Sequence, residues 1–288
     1  MNMRWMIIRF CMVALLGGVS SCIHKDFSDC PADKYIVKVS VKDKNYANIN
    51  SFPQLAAMAE DSPFRVFAVT IYYTLSDAAT GNLVKESAVE GVSGNDTAYF
   101  ITFEDIPVGE YTLTVWSNLT TDYPAGVLHQ EGKEHTDIYM ATRMLKFDYS
   151  YQTAEVALER TKGELLLLCK NFPPVVTAIG QSITNVYQKV DATFNYSGST
   201  RVDKKGEFQP ALTTLLAPSA EGRSKLKLSF YTDDAQKSLF LELPEMDLTV
   251  KRNEISAIAV DFKEPDGIYE VWTFINGQWT MTHRLGIE

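Results

Sequence analysis

Histidine and cysteine are scarce in this chain, with four of each in 288 residues. So few leaves little room for the side-chain clusters that metal sites and nucleophilic catalysis use. The local signatures are missing too: there is no Gly-x-Ser-x-Gly elbow, His-Glu-x-x-His, glycine-rich phosphate loop or Cys-x-x-Cys. Positive charge is also short, 27 basic against 36 acidic residues for a net charge of −9. Without a basic stripe to displace counterions, a nucleic-acid partner has no support. No run of five like charges marks a charged tail. No apolar run reaches the ~20 residues that a helical membrane span needs. Leu165–Cys169 is apolar but short, and reads as a buried strand. The expectation is a non-enzymatic chain with no cofactor.

What is present begins at the N-terminus. Arg4 and Arg9 precede the apolar run Cys11–Val19, followed by Ser20, Ser21 and Cys22. A basic start, a short apolar core and small residues make a secretory signal. A cysteine directly after them, in Val19-Ser20-Ser21-Cys22, turns it into a bacterial lipobox. The sequence then predicts a signal peptide over 1–21, acylation of Cys22 and a membrane-tethered mature chain. Several acyl chains, each contributing roughly 0.8 kcal/mol per buried CH₂, anchor stably. The competing reading is an uncleaved N-terminal helix, or a secreted protein with an ordinary thiol at 22. The signal takes two arginines and no acid with it, so the mature chain is more acidic still. Of the remaining cysteines, Cys30 and Cys169 are able to pair in an oxidising exterior. A buried free thiol at Cys169, which ends an apolar run, is the simpler alternative.

Residues 22–33 read as a lipidated leader, and after them the chain reads as strands. β-branched and aromatic residues in alternation mark 35–41, 64–73, 98–103, 110–116, 153–158, 163–168, 186–194, 225–230, 238–243, 255–262 and 269–274. Asn276-Gly277 is a strong hairpin signal, because both residues tolerate φ > 0. Helical evidence is limited to Gln54–Glu60. The weakly periodic stretch 121–150 reads as loop and edge structure closing a first unit. The polar Arg160–Gly163 segment then divides the chain into β-sandwiches over 34–160 and 161–288.

Three constellations invite a chemical reading. His129 and His135 lie among Glu131, Glu134 and Asp137, where a divalent metal is imaginable; a solvated polar loop is the favoured reading, so no metal is expected. Glu104-Asp105 and Asp233-Asp234 read as turn residues. Trp272 and Trp279 lie on facing strands of the Asn276-Gly277 hairpin, as a cross-strand core pair or as an exposed platform for sugar rings.

Cys22, then Asp26–Pro31, then a valine-rich first strand resembles the FimB/Mfa2 fimbrial anchor and assembly proteins of Bacteroidales. Val156–Arg160 before an apolar strand resembles that family's crossing between domains. Leu248–Asn253 before Ile255–Phe262 resembles its late strand with an Arg-Asn turn. Residues 121–150 and 197–222 match nothing in that pattern. The resemblance implies two tandem transthyretin-like (Ig-like) β-sandwiches, lipid-anchored to the outer membrane at the base of a fimbrium. It implies fimbrial or pilin subunits as partners, joined by strand addition, and a role in cell adhesion. Lys25, Asp26 and Asp29 behind Cys22 resemble the acidic signal that sends such lipoproteins to the cell exterior. Asp96-Thr97-Ala98 matches a short O-glycosylation pattern of such lipoproteins, making Thr97 a possible acceptor; a polar strand start is the equal alternative. The rival function is a surface lipoprotein that binds glycan or host protein through exposed aromatics. A hydrolase using the His129–Asp137 region is the weakest reading.

Overall fold

In a computed structural model the described residues are 34–120, 124–148, 153–263 and 267–286. Cys22, Cys30, Lys25, Asp26 and Asp29, on which the lipidation, disulfide and export expectations rest, lie outside them. The chain is nearly all β, with curled sheets packed as β-sandwiches. Up to Arg160 the strands are β1 (Tyr35–Val41), β2 (Thr70–Asp77), β3 (Leu83–Glu86), β4 (Glu90–Gly91), β5 (Tyr99–Phe103), β6 (Gly109–Ser117), β7 (Tyr139–Phe147) and β8 (Thr153–Arg160). They hydrogen-bond in the order β3-β2-β6-β7-β8-β1-β5, with β4 also on β2. After Gly163 come β9 (Gly163–Lys170), β10 (Ala178–Val190), β11 (Tyr196–Glu207), β12 (Ala211–Leu216), β13 (Ser224–Tyr231), β14 (Leu239–Glu242), β15 (Met246–Leu248), β16 (Ile255–Lys263), β17 (Ile268–Ile275) and β18 (Gln278–Gly286). These form two sheets, β11-β10-β13-β14 with β15 on β13, and β12-β9-β16-β17-β18.

The ladder plan of the first half recurs in the second. The opening strand pairs parallel with the closing one, β1 with β8 and β9 with β16. It pairs antiparallel with a middle strand on its other side, β5 or β12. The facing sheets correspond as well, β3-β2-β6 with β11-β10-β13. Each half encloses its own apolar cluster, around Val37, Leu113 and Phe103 in the first and Leu167, Phe230 and Tyr269 in the second. The β17–β18 hairpin is an addition with no counterpart among the described residues of the first half.

Alternation explains most of these elements. In β1 the odd residues Tyr35, Val37, Val39 and Val41 are buried and the even ones are not. The leucine run of β9 breaks alternation because both its faces are covered. Leu165, Leu167 and Cys169 enter the second core. Leu166 and Leu168 lie under Phe52, carried by the 42–62 excursion of the first half. Phe52 is 1% exposed and meets Phe274 edge-on at 4.8 Å. Cys169 is buried, and burial pushes its thiol up to about 12.

Several sequence expectations are corrected. The stretch 64–73 is not one strand: Phe64–Phe67 is a helical turn after Pro63, burying Phe64 and Phe67 at i,i+3 spacing, and β2 starts at Thr70. Gln54–Glu60 is not helical. Asn45 holds Met58 open there, accepting from its N–H at 2.7 Å and donating to its carbonyl at 2.9 Å. The strand expected over 186–194 runs from Ala178 to Val190 instead. It stops where the Asp191 carboxylate takes the N–H groups of Thr193 and Asn195, making a turn. Glu104-Asp105 and Asp233-Asp234 are turn residues as expected: Asp105 has φ +60°, and Asp233 accepts from the N–H of Lys237 and Ser238.

The stretch 121–150 differs most from expectation. It contains β7, an interior strand of the first sheet. The preceding 124–137 segment is a clasp on the second half, with 126–129 buried, and not a solvated loop. Val190 N–H donates to Gly126 O and Asp203 N–H to Gly132 O, both at 2.8 Å. Gly126 sits at φ +83°, where a Cβ would stand 2.5 Å from Val190 O, so both the conformation and the close approach need glycine.

Candidate functional site

β7 and β8 are consecutive in the sheet order, yet among the described residues they pair at only two positions, Tyr139 with Arg160 and Met140 with Glu159. Beyond that corner they part. β7 remains paired along its length to β6, and β8 along 153–158 to β1. Residues 141–147 and 153–158 therefore present two strand edges to each other across an open split. Its floor is apolar, from Val37, Leu145, Phe147 and Ala154. An open edge is a template for another chain, and proteins guard such edges. The guard here is Arg143. Its neighbours two residues away, Ala141 and Leu145, point inward and are buried. Arg143 shares their parity but is exposed, and its guanidinium reaches across to the Glu155 carbonyl.

The closed end of the split is built by the second half. Thr142 Oγ1 donates to Ala192 O at 2.7 Å, and Phe194, at φ +62°, lies beneath the Arg252 guanidinium at 4.3 Å. Of the other edges, β5 and the nine-residue β18 are exposed outer strands, and four more are short, charged or covered. β3 and β14 have four residues each. β11 carries Arg201, Lys204 and Lys205. β12 is capped by the Glu134 carboxylate, which accepts Leu215 N–H at 2.6 Å.

The residues singled out from sequence fall elsewhere. Among the described residues no group of three His, Cys, Asp or Glu is placed to hold a metal ion. His129 is fully buried, its Nε2 accepting Ala217 N–H at 2.8 Å and its Nδ1–H donating to Lys133 O at 3.1 Å. Burial, and then Lys162, hold it well below the usual imidazole range. The same two causes lower His135 to about 4. Burial pulls Lys162 down to about 7 against the opposing pull of Asp137 and Glu134, and its Nζ donates to Glu134 O at 2.8 Å. Arg160 binds Asp137 at 2.8 Å, Tyr139 Oη at 2.5 Å and Asn253 Oδ1 at 2.9 Å. The 156–160 and 248–253 stretches that carried the family resemblance thus meet at one buried junction. Thr97 is exposed in a bend ahead of β5. Trp272 is half-buried and Trp279 is 37% exposed; they lie on facing strands but diagonally, since Trp272 opposes Met281 and Phe274 opposes Trp279.

Sequence reasoning missed the split. Its one signal was Arg143, a charge at an inward position of an otherwise alternating stretch. That charge interrupts the alternation of β7, within the 121–150 stretch whose periodicity is weak throughout.

Known proteins share this architecture. Residues 27–158 match the model of a family described as Fimbrillin-A associated anchor proteins Mfa1 and Mfa2, which bears out the family resemblance. No curated protein sequence matches the chain. Among solved structures, the fimbrial anchor protein Mfa2 of Porphyromonas gingivalis aligns with a TM-score of 0.51 at 15% identity, covering 88% of this chain and 100% of that one. A fimbrial assembly protein of Parabacteroides distasonis gives 0.50 at 10% identity, covering 87% and 99%. A protein of Bacteroides ovatus described as a candidate adhesin gives 0.53 at 10% identity, covering 91% and 97%. At these identities the likeness establishes the fold.

Proposed function

We propose, from the match of residues 27–158 to the Mfa2 anchor family, that this chain is a non-enzymatic lipoprotein that anchors fimbriae or assists their assembly. It acts as two β-sandwich units over 34–160 and 161–288, tethered through acylated Cys22 to the outer face of the outer membrane. Its partner is a fimbrial subunit, and pairing is by strand addition, in which backbone hydrogen bonds give affinity and alternate side chains give specificity. Thr97, exposed in its bend, is the acceptor for an O-linked glycan.

The observation that carries the pairing is the split. The far edge of β16 is filled from Ile258 to Lys263 by β17 of the same chain. The corresponding edge of β8 is bare over 153–158 and faces a second bare edge on β7. An extended segment from a pilin entering there pairs with the free edge of β8, with β7 giving way. Arg143 must swing aside first, which keeps the edge from pairing indiscriminately.

The test is to close the split. Arg143→Cys and Glu155→Cys, joined by a cleavable thiol cross-linker, hold the two edges together. Pull-down from native cells recovers a fimbrial subunit with the wild type, loses it with the closed variant, and regains it after the linker is cleaved. Undiminished recovery with the split closed places the pairing elsewhere. Cys22→Ala in the same cells sheds fimbriae into the medium if the lipid is the anchor; retained fimbriae rule that out.

A further inference from the structure

We infer that the outer face of the β16–β17–β18 sheet is a binding site for a neutral carbohydrate, on a different surface from the split and independent of it. On this face Trp272 and Trp279 line a groove of about 310 Å³ whose floor is the small residue Ala259. The remaining lining is Lys170, Asp261, Lys263 and Glu270. The parity of the ladder puts them all on one side: Glu270 and Trp272 alternate with Tyr269 and Val271, which are fully buried in the second core.

Each part suits a sugar ring. A pyranose has an apolar face of C–H groups, which packs on an indole. Its rim of hydroxyls both donates and accepts, so it pairs with carboxylates and ammonium groups alike. Trp279 is held for this: Phe274 meets it edge-on at 5.5 Å, fixing the ring while leaving it 37% exposed. The polar wall is prearranged. Asp261 accepts from Asn171 Nδ2 at 2.7 Å and from Lys263 Nζ at 2.5 Å, and Glu270 lies 3.7 Å from Lys263 and 3.9 Å from Arg284. In the lining two ammonium groups stand against two carboxylates, and with Arg284 beside Glu270 the wall carries at most one excess positive charge, so its charged groups are largely satisfied by one another and favour a neutral ligand. The 42–62 excursion covers the adjoining part of this sheet face through Phe52, whose cluster includes Ala259 and Trp272, but contributes no residue to the groove lining. Such sites are an aromatic wall with a few fixed polar groups, and this groove has both.

The experiment uses the full chain and intrinsic tryptophan fluorescence. Neutral glucose, mannose and N-acetylglucosamine hexasaccharides, and an anionic galacturonate hexasaccharide, are titrated separately. Saturable change with at least one neutral probe, weakened at least about tenfold in Trp279→Ala and unchanged in Thr280→Ala, which lies on the same strand but pairs with Thr273 on the opposite face, is expected. Lys263→Met, which leaves both indoles in place, weakens it as well. No response to any neutral probe overturns the inference, as does binding that survives Trp279→Ala or a response confined to the anionic probe. Because the split is untouched, pilin recovery in the pull-down is the same for Trp279→Ala as for the wild type, so the two readings fail separately.

Discussion

β8 and β16 hold the same place in the same ladder plan, yet only β16 has a long neighbour beyond it, paired from Ile258 to Lys263. Both run parallel to the opening strand of their half. β16 then receives β17 and, beyond it, β18, which places Tyr269 and Val271 in the second core. β8 keeps two pairs with β7 at its end and is otherwise bare on that side. One fold therefore completes a strand position from its own chain in one half and leaves it unfilled in the other, with a single arginine across the gap. A strand edge left unpaired at this position is thus a property of the first half and not of the fold.

The comparison assumes that the halves are locked into one body, and the largest expected effect comes from unlocking them. Phe52→Ala removes a fully buried ring that the first half places on the second half's sheet. A loss of about 3–5 kcal/mol is expected for such a truncation. Calorimetry then resolves two transitions in place of one; a single, barely shifted transition means the excursion does not couple the halves.

The second clasp, 124–137, is sharpened by pH. His129 and His135 are held neutral in the folded chain, His135 to about 4, while in the unfolded chain they bind protons near 6.5. Below that value the unfolded state carries more protons, so stability falls as pH drops from about 6.5 toward 4. Lys162, lowered to about 7 from 10.5, adds a slope of the same sign at higher pH, with stability rising between those two values. Urea midpoints across pH 4–7 check this, and His129→Gln, which removes one of the titrating groups, flattens the acid limb. A midpoint that does not move over that range contradicts the buried neutral pair.

The smallest effect probes the added hairpin alone. Gly277 sits at φ +82° with open space around it, so Gly277→Val meets only backbone strain. A loss of about 1–2 kcal/mol is expected. Hydrogen exchange should quicken in β17 and β18 and stay unchanged in β1 and β8. Equal quickening in both halves would show that the hairpin is not a separable addition.

Much of the fold was legible where one physical signal dominated. Alternation in Tyr35–Val41 and the leucines before Cys169 fixed strands, and Asn276-Gly277 fixed a hairpin, with both residues at positive φ. Legibility failed where a residue's environment comes from the other half. Residues 124–137 look polar because Glu134, His129 and Lys133 find their partners on β12 and within the clasp, which no local pattern reveals. β11 is an edge strand with polar residues on both faces, so its period carried no signal. Of the site residues, the tryptophan pair was visible as a pair, but its groove needed Asp261 and Lys170 from strands far away in the chain.

The chain's composition and local patterns settled its class: an acidic, strand-rich chain without catalytic signatures, with an N-terminal segment and leader that resemble those of a fimbrial anchor family. Those properties are local, carried by composition, by a period of two and by short motifs. Only the tertiary structure decided which edges are filled and which stay open, and which aromatics remain at the surface. Strand order and the covering of a sheet face depend on contacts between residues distant in sequence, and a one-dimensional pattern does not encode which face meets which partner.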